Sequence, residues 1–306
     1  MKPPRAFDFL GNIAIVNFPK GFRQSKKKKY AQELMQKNKS ITTILEKAGK
    51  VSGRLRKPKL KHVAGKKTKE VLYKENNCVF RFNVDTTYFS PRLSNERKEI
   101  ASKIKKGEKV LVIFAGVSPY SIVIAKNSKA EKIYSNEINR EANKYAKLNI
   151  ELNTVKDKVE LIPGDIKKVV KKLDSLRSQI DKKLLMQKNS KKSMQLTVSQ
   201  QKTTNFSLVN SNQSSHQRAN LPKFDAIIMP RPQLKDTFLE QAFKLSRRRT
   251  KIYYYDFCKV DEEKLIVEKI KKEALRAKKR IKILKIKKAG EIAPYKIRIR
   301  IDFRVL

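Results

Sequence analysis

Apolar and polar residues follow two different rhythms along this chain, and the change comes near residue 95. In the first stretch, residues 8–18 read as a strand entry, with Ile13, Ile15 and Phe18 apolar between turn residues. Lys26 to Lys37 places Tyr30, Leu34 and Met35 on one face, the spacing of a helix. Ile41, Ile44 and Leu45 keep that spacing and predict a second short helix stopped at Gly49. Residues 53–89 are basic and strand-like and end in VFRFNVDTTYF. There Phe80, Phe82 and Val84 alternate with Arg81 and Asn83, the period of a half-buried strand. Residues 1–94 therefore read as a small α+β domain.

Beyond residue 95 short apolar runs alternate with helical patterns. Glu96 to Lys105 reads as a helix, with Ile100 and Ile104 four apart, and KVLVIF (109–114) as a buried strand. A helix through Lys126 follows, then a strand at EKIYSNE (131–137) and a helix over Arg140 to Leu148. DKVELIPGD (157–165) gives a third strand with its turn, again followed by a helix. FDAIIMP (224–230) is a fourth strand, Leu234 to Leu245 a helix, and KIYYYDF (251–257) a fifth strand. Glu262 to Ala277 is helical, and IKILKI (281–286) and YKIRIRIDF (295–303) close the chain. Such alternation predicts an α/β domain over 95–306 with a doubly wound, Rossmann-like, mainly parallel sheet. The two closing strands have no helix between them, which predicts an antiparallel hairpin at the sheet edge. Residues 175–220, rich in Ser, Gln, Asn and Lys, interrupt this plan and read as a disordered insert between the third and fourth strands.

Composition narrows the function classes. The 306 residues hold 74 Lys and Arg against 29 Asp and Glu, a formal net charge of +45. A surplus of that size repels itself unless a polyanion compensates, and nucleic acid is the natural partner because each neutralised phosphate releases a counterion. A general lysine bias is the plainer explanation of the same count. No run of eighteen apolar residues exists, so no membrane helix is expected, and the N-terminal Met1-Lys2-Pro3-Pro4-Arg5 has no apolar signal core. Two cysteines, Cys78 and Cys258, form no disulfide framework and suit a reducing cytoplasm; with His62 and His216 they give no metal-ligand spacing.

In a doubly wound sheet the first βα turn is where a nucleotide-like ligand binds. Here that turn is Phe114-Ala115-Gly116-Val117-Ser118-Pro119-Tyr120. Its small residues let the backbone approach a ligand, and the following helix offers free N–H groups. Glu137 ends the second strand, where an acid accepts from ribose hydroxyls, and Asp165 follows the third, where it can accept from an adenine amino group. Either acid could instead cap a helix. The three together favour a bound nucleoside. With one glycine instead of three, S-adenosylmethionine fits better than a dinucleotide.

The stretch Tyr88-Phe89-Ser90-Pro91-Arg92-Leu93-Ser94-Asn95-Glu96-Arg97, with Phe114-Ala115-Gly116-Val117 and Ile252-Tyr253-Tyr254, resembles the archaeal and eukaryotic tRNA (guanine-37-N1)-methyltransferases, a class I methyltransferase family. The resemblance runs from about Phe7 to Phe303, apart from the insert, and no counterpart of the family's extra tRNA-elbow domain is expected. It implies S-adenosylmethionine as methyl donor and the tRNA anticodon stem-loop as partner; a monomer is expected because the sequence has no coiled-coil or apolar edge signal. The family's general base falls on Glu96, which would take the guanine N1 proton. Its arginine that steadies charge on guanine O6 falls on Arg56. Tyr88 would pack on base or cofactor, and Arg92 and Arg97 would hold phosphate or orient Glu96. For each a structural role is the alternative: a first-turn acid, a solvent-facing arginine, a core aromatic.

Three positions depart from the family's pattern. Val112 stands where an acid usually ends the first strand, Ser118 replaces a glycine, and Pro230-Arg231-Pro232 replaces Asn-Leu-Pro. Carbonyls flanking Pro230 can still accept from a purine, and Arg231 can reach phosphate. A wyosine-pathway transferase, moving an aminocarboxypropyl group or methylating a tricyclic base, therefore stays open. So does a non-catalytic RNA binder, which would not need both Glu96 and Arg56.

Overall fold

The computed structural model describes residue 4 and residues 7–49, 59–175, 222–230 and 236–306. Arg56, Arg231 and Pro232, and all of the predicted insert except residue 175, lie outside the described residues.

The N-terminal part is a four-stranded sheet in the order β1-β2-β3-β4, built from β1 (Phe7–Leu10), β2 (Ile13–Val16), β3 (Thr43–Lys47) and β4 (Leu60–Gly65). Helix α1 (Gln24–Lys37) crosses between the parallel pair β2 and β3 and buries Ala31 and Leu34 against Val16, Ile44 and Val63. The short helix expected at Ile41, Ile44 and Leu45 is instead strand β3. Both faces of that strand are covered: Ile44 packs under α1 and Leu45 joins the larger core on the other side. Double burial removes the alternation that marks a strand, and the β-branched Ile-Thr-Thr-Ile run favours extended backbone.

Strands β5 (Glu70–Glu75) and β6 (Cys78–Asn83) form a hairpin turned by Asn76 and Asn77, both at positive φ as a tight hairpin turn demands. Helix α2 (Ser94–Lys103) then leads into a seven-stranded sheet. Its strands are β7 (Lys109–Ile113), β8 (Lys132–Glu137), β9 (Val159–Pro163), β10 (Phe224–Met229), β11 (Ser246–Lys259), β12 (Ile281–Ala293) and β13 (Lys296–Val305). The order is β12-β13-β11-β10-β7-β8-β9. Five neighbours from β9 to β11 run parallel, while β13 is antiparallel to β11 and β12 to β13. This is the expected α/β sheet with its antiparallel edge hairpin.

Alternate residues of the central strands feed two cores. Val110, Val112, Ala226, Ile228, Tyr253 and Tyr255 pack with α2, α3 (Pro119–Asn127) and α4 (Arg140–Leu152). Leu111, Ile113, Ile227, Met229, Ile252 and Tyr254 pack with helix α5, described over 166–175, α6 (Leu239–Leu245) and α7 (Glu263–Arg276). Strand order reverses at β7, so a crevice opens beyond its carboxyl end. Helix α6 starts later than the expected Leu234, because the Asp236 and Thr237 side chains accept from the backbone of Phe238 and Leu239. Strand β11 starts earlier than expected, at Ser246, which pairs with Phe224; the polar Arg247–Thr250 stretch forms an irregularity before pairing resumes at Lys251 opposite Ala226. No described helix is long and apolar enough to cross a membrane.

The β5–β6 hairpin joins the two sheets. Asn149 of α4 and Asn153, which caps its C-terminus, satisfy the outer edge of β6: Val79 N donates to Asn153 Oδ1 at 2.9 Å and Arg81 N to Asn149 Oδ1 at 2.7 Å. On its other side, Asn12 of the β1–β2 turn donates to Glu70 O at 3.1 Å and accepts from Leu72 N at 3.0 Å.

Candidate active site

The turn after β7 has three residues in the left-handed region, Phe114 (φ 62°), Gly116 (φ 59°) and Ser118 (φ 65°). Only Gly116 adopts it without strain. The turn is tied to the end of β8. Ala115 N donates to Asn136 O at 2.9 Å, and Gly116 N donates to Glu137 Oε2 at 2.8 Å. Asn139 N donates to Glu137 Oε1 at 2.7 Å. Burial raises the Glu137 titration point above the usual carboxylate value, and these backbone N–H groups only partly oppose the shift. Asp165 accepts from Lys167 N at 2.9 Å at the start of α5, and the preceding Gly164 N donates to Glu137 O at 2.8 Å. The structure thus brings Gly116, Glu137 and Asp165 to one rim of the crevice.

The rest of the turn faces inward. Ala115, Val117 and Ser118 are buried. The Ser118 hydroxyl lies 2.8 Å from that of Ser135, which also accepts from Ser121 at 2.9 Å. Ser118 therefore secures α3 to β8, and Val112, fully buried, fills the core beneath. Phe114 is half-buried and meets Phe238 edge-on at 5.0 Å.

The segment before α2 lies over this turn. Tyr88 O sits where a Cβ added to Gly116 would be 3.3 Å away, while the Tyr88 side chain is 37% exposed. Phe89 stacks on Phe82 at 4.6 Å, and the Arg97 guanidinium lies 5.0 Å from the Phe89 ring centre. Arg97 is 1% exposed; it clamps the buried Glu75 with two nitrogens and donates to Ser90 O at 3.0 Å. It therefore has no face for phosphate and fixes the loop instead. Arg92 is exposed and donates to Asp8 Oδ1 at 2.6 Å, and Lys47 reaches the other oxygen of Asp8 at 2.7 Å. Burial alone would raise the Asp8 titration point, but these two cations bring it below the usual value.

Glu96 is 5% exposed and both its oxygens are engaged. Oε1 accepts from Lys287 Nζ at 2.5 Å. Oε2 accepts from Arg300 Nη1 at 2.5 Å and from the Tyr255 hydroxyl at 3.0 Å. None of these partners was found from sequence. The available signal was charge at alternate positions of the apolar closing strand, Arg298, Arg300 and Asp302, which marks residues that need buried partners. Pro230 follows β10 and is half-buried. Among the described residues no cluster of His, Cys, Asp and Glu could hold a metal ion.

A seven-stranded sheet with its last strand reversed, a small-residue turn closing on an acid at the end of the next strand, and no glycine-rich pyrophosphate cradle define a class I methyltransferase. A model of the TRM5/TYW2 methyltransferase domain matches residues 71–206, and one of the TYW2 N-terminal domain matches residues 2–68. The tRNA (guanine(37)-N(1))/4-demethylwyosine(37)-methyltransferase Taw22 of Nanoarchaeum equitans is 33% identical over 308 residues, covering 98% of this chain and 100% of that protein. The tRNA (guanine(37)-N(1))-methyltransferase Trm5b of Pyrococcus abyssi is 35% identical over 182 residues, 58% of this chain and 53% of that protein. The crystal structure of wild-type Trm5b from Pyrococcus abyssi superimposes with a TM-score of 0.74 at 28% identity, over 99% of this chain and 75% of that one. The chain belongs to the TRM5/TYW2 methyltransferase family.

Proposed function

We propose that this chain methylates N1 of guanosine 37 in tRNA, with S-adenosylmethionine as donor. The observation that carries the reading is one continuous segment: the backbone at Tyr88 lies against the cofactor-type turn, and eight residues on it delivers Glu96. The residues at the rim fit the donor. Glu137 accepts backbone hydrogen bonds from Gly116 and Asn139, and a ribose hydroxyl would donate to the same carboxylate. Asp165 would meet the adenine amino group, Gly116 lets the chain pass close, and Phe114 and Tyr88 flank the crevice.

When bound, S-adenosylmethionine supplies an electrophilic methyl on its sulfonium. The chain's own work is to hold guanine in line and to manage its proton and charge. Glu96 takes the N1 proton, and Arg56 steadies the charge that grows on O6. Carbonyls at Pro230 accept from the purine edge, and Arg231 and Pro232 contribute to tRNA binding, Arg231 through phosphate. The anticodon stem-loop backbone lies on Arg92 and on the small domain, where Lys26, Lys28 and Lys29 of α1 are exposed. The chain acts as a monomer, with residues 1–94 as the tRNA-contacting domain and 95–306 as the catalytic one.

A second reading has a specific observation in its favour. The Nanoarchaeum relative carries a double name that includes 4-demethylwyosine, and Pro230 stands where guanine recognition in the family uses Asn. Nucleoside mass spectrometry after incubation with S-adenosylmethionine separates the readings. One substrate is a tRNA transcript with guanosine 37; the other is a tRNA carrying the tricyclic precursor. Methylguanosine from the first supports the proposal. Product from the second alone supports the wyosine reading. Tight tRNA binding with no product from either identifies an RNA binder.

A further inference from the structure

On the α2 face of the sheet three directly opposite residues of three neighbouring strands converge on one carboxylate. Lys287 of β12 pairs with Arg300 of β13, and Arg300 pairs with Tyr255 of β11. All three side chains reach Glu96. Like charges directly opposite in a ladder are destabilising, so a Lys–Arg pair with one member fully buried needs carboxylates to hold it. Helix α2 supplies two, Glu96 and Glu99, and β13 supplies Asp302. Arg300 uses three nitrogens on three acids: Nη1 on Glu96 at 2.5 Å, Nη2 on Glu99 at 2.6 Å, and Nε on Asp302 at 2.7 Å. Lys287 also meets Glu99, and Lys103 bridges Glu99 at 3.3 Å and Asp302 at 2.9 Å. The guanidinium is over-determined, and it holds Glu96 in turn.

A carboxylate oxygen accepts two hydrogen bonds in its plane. Oε2 of Glu96 already has two, from Arg300 and Tyr255; Oε1 has one, from Lys287. We infer that the edge hairpin is part of the methyl-transfer apparatus: Arg300 and Lys287 are positioning residues that present Oε1 of Glu96, at its one open lone pair, to the guanine proton. The inference rests on Glu96 being the base. It adds an element, the β12–β13 hairpin, that reaches across about 190 residues of chain to orient that base.

Lys287 is the member to test. Removing Arg300 would leave three acids without their shared cation and risks unfolding, whereas Lys287 is one-third exposed. Turnover and KM for tRNA are measured for Lys287→Gln, Lys287→Arg, Glu96→Gln and the control Lys288→Gln. Lys288 is an exposed neighbour paired only with Glu291 among the described contacts. Positioning predicts that Lys287→Gln lowers kcat on the order of 10-fold or more, with KM for tRNA and melting temperature little changed. Lys287→Arg recovers most of the loss, and Lys288→Gln behaves as wild type. A raised KM with unchanged kcat would make Lys287 an RNA contact and overturn the inference, as would no effect at all. If Glu96→Gln itself keeps wild-type kcat, the base assignment falls, and the inference falls with it for that separate reason.

Discussion

In the proposed function, Gly116 is the residue on which cofactor approach turns. Its left-handed backbone and the nearby Tyr88 carbonyl leave a side chain both strained and crowded. Gly116→Ala is expected to cost about 1 kcal/mol of stability from the backbone alone, and to weaken S-adenosylmethionine binding, which calorimetry with the purified chain measures. Glu137 gives a pH signature. Its titration point is raised by burial, so it gains a proton at a higher pH than a surface carboxylate as the solution is acidified. The protonated acid is a poorer acceptor for ribose hydroxyls. Cofactor affinity should therefore fall with acidification, starting at a higher pH than a surface carboxylate would give, and Glu137→Gln should bind weakly with that slope removed. For stability the sign is opposite: a raised folded-state value means this group favours folding more as pH falls. Arg97 is a structural matter. Arg97→Met leaves Glu75 buried and unpaired, an expected loss of about 3–5 kcal/mol by denaturant melting.

At the scale of elements, the joint between the small sheet and the β5–β6 hairpin is set by the tight β1–β2 turn. A Cβ on Gly11 would lie 1.9 Å from Leu72 O, and Asn12 hydrogen-bonds both Leu72 and Glu70 of that same strand. Gly11→Ala cannot be accommodated without moving backbone and should loosen the small sheet first; hydrogen exchange should rise in β1 and β2 and stay low in β7 and β10. If protection is lost uniformly, the two sheets unfold as one unit. This joint was not legible in the sequence, since nothing about a lone Gly11-Asn12 pair names a partner sixty residues away. The seven-stranded sheet was legible, because each βα unit repeats the same local pattern and the closing strands lack a helix between them. Strand β3 was misread because burial on both faces put Ile44 and Leu45 side by side. The rim acids Glu137 and Asp165 could be read from their place at strand ends. The partners of Glu96 could not, because cross-strand register is decided only in the folded sheet.

At the scale of the molecule, the net charge of +45 is distributed over a fold that pairs many of its acids internally. Asp8, Glu75, Glu96, Glu99, Asp225 and Asp302 each meet a Lys or Arg of the chain, and an excess of cations is left for solvent or a polyanion. Binding to tRNA should weaken steeply as salt rises, and replacing Lys26, Lys28 and Lys29 with Gln should reduce the log–log slope by about 1 for each lysine that touches phosphate. An unchanged slope would place the RNA elsewhere. The most direct measurement is transfer of labelled methyl from S-adenosylmethionine to two tRNA transcripts that differ only in guanosine or adenosine at position 37. Incorporation that requires the guanosine and collapses in Glu96→Gln is the predicted result. Equal labelling of both transcripts, or tight binding of the guanosine transcript with no labelling, would contradict guanosine 37 methylation by this chain.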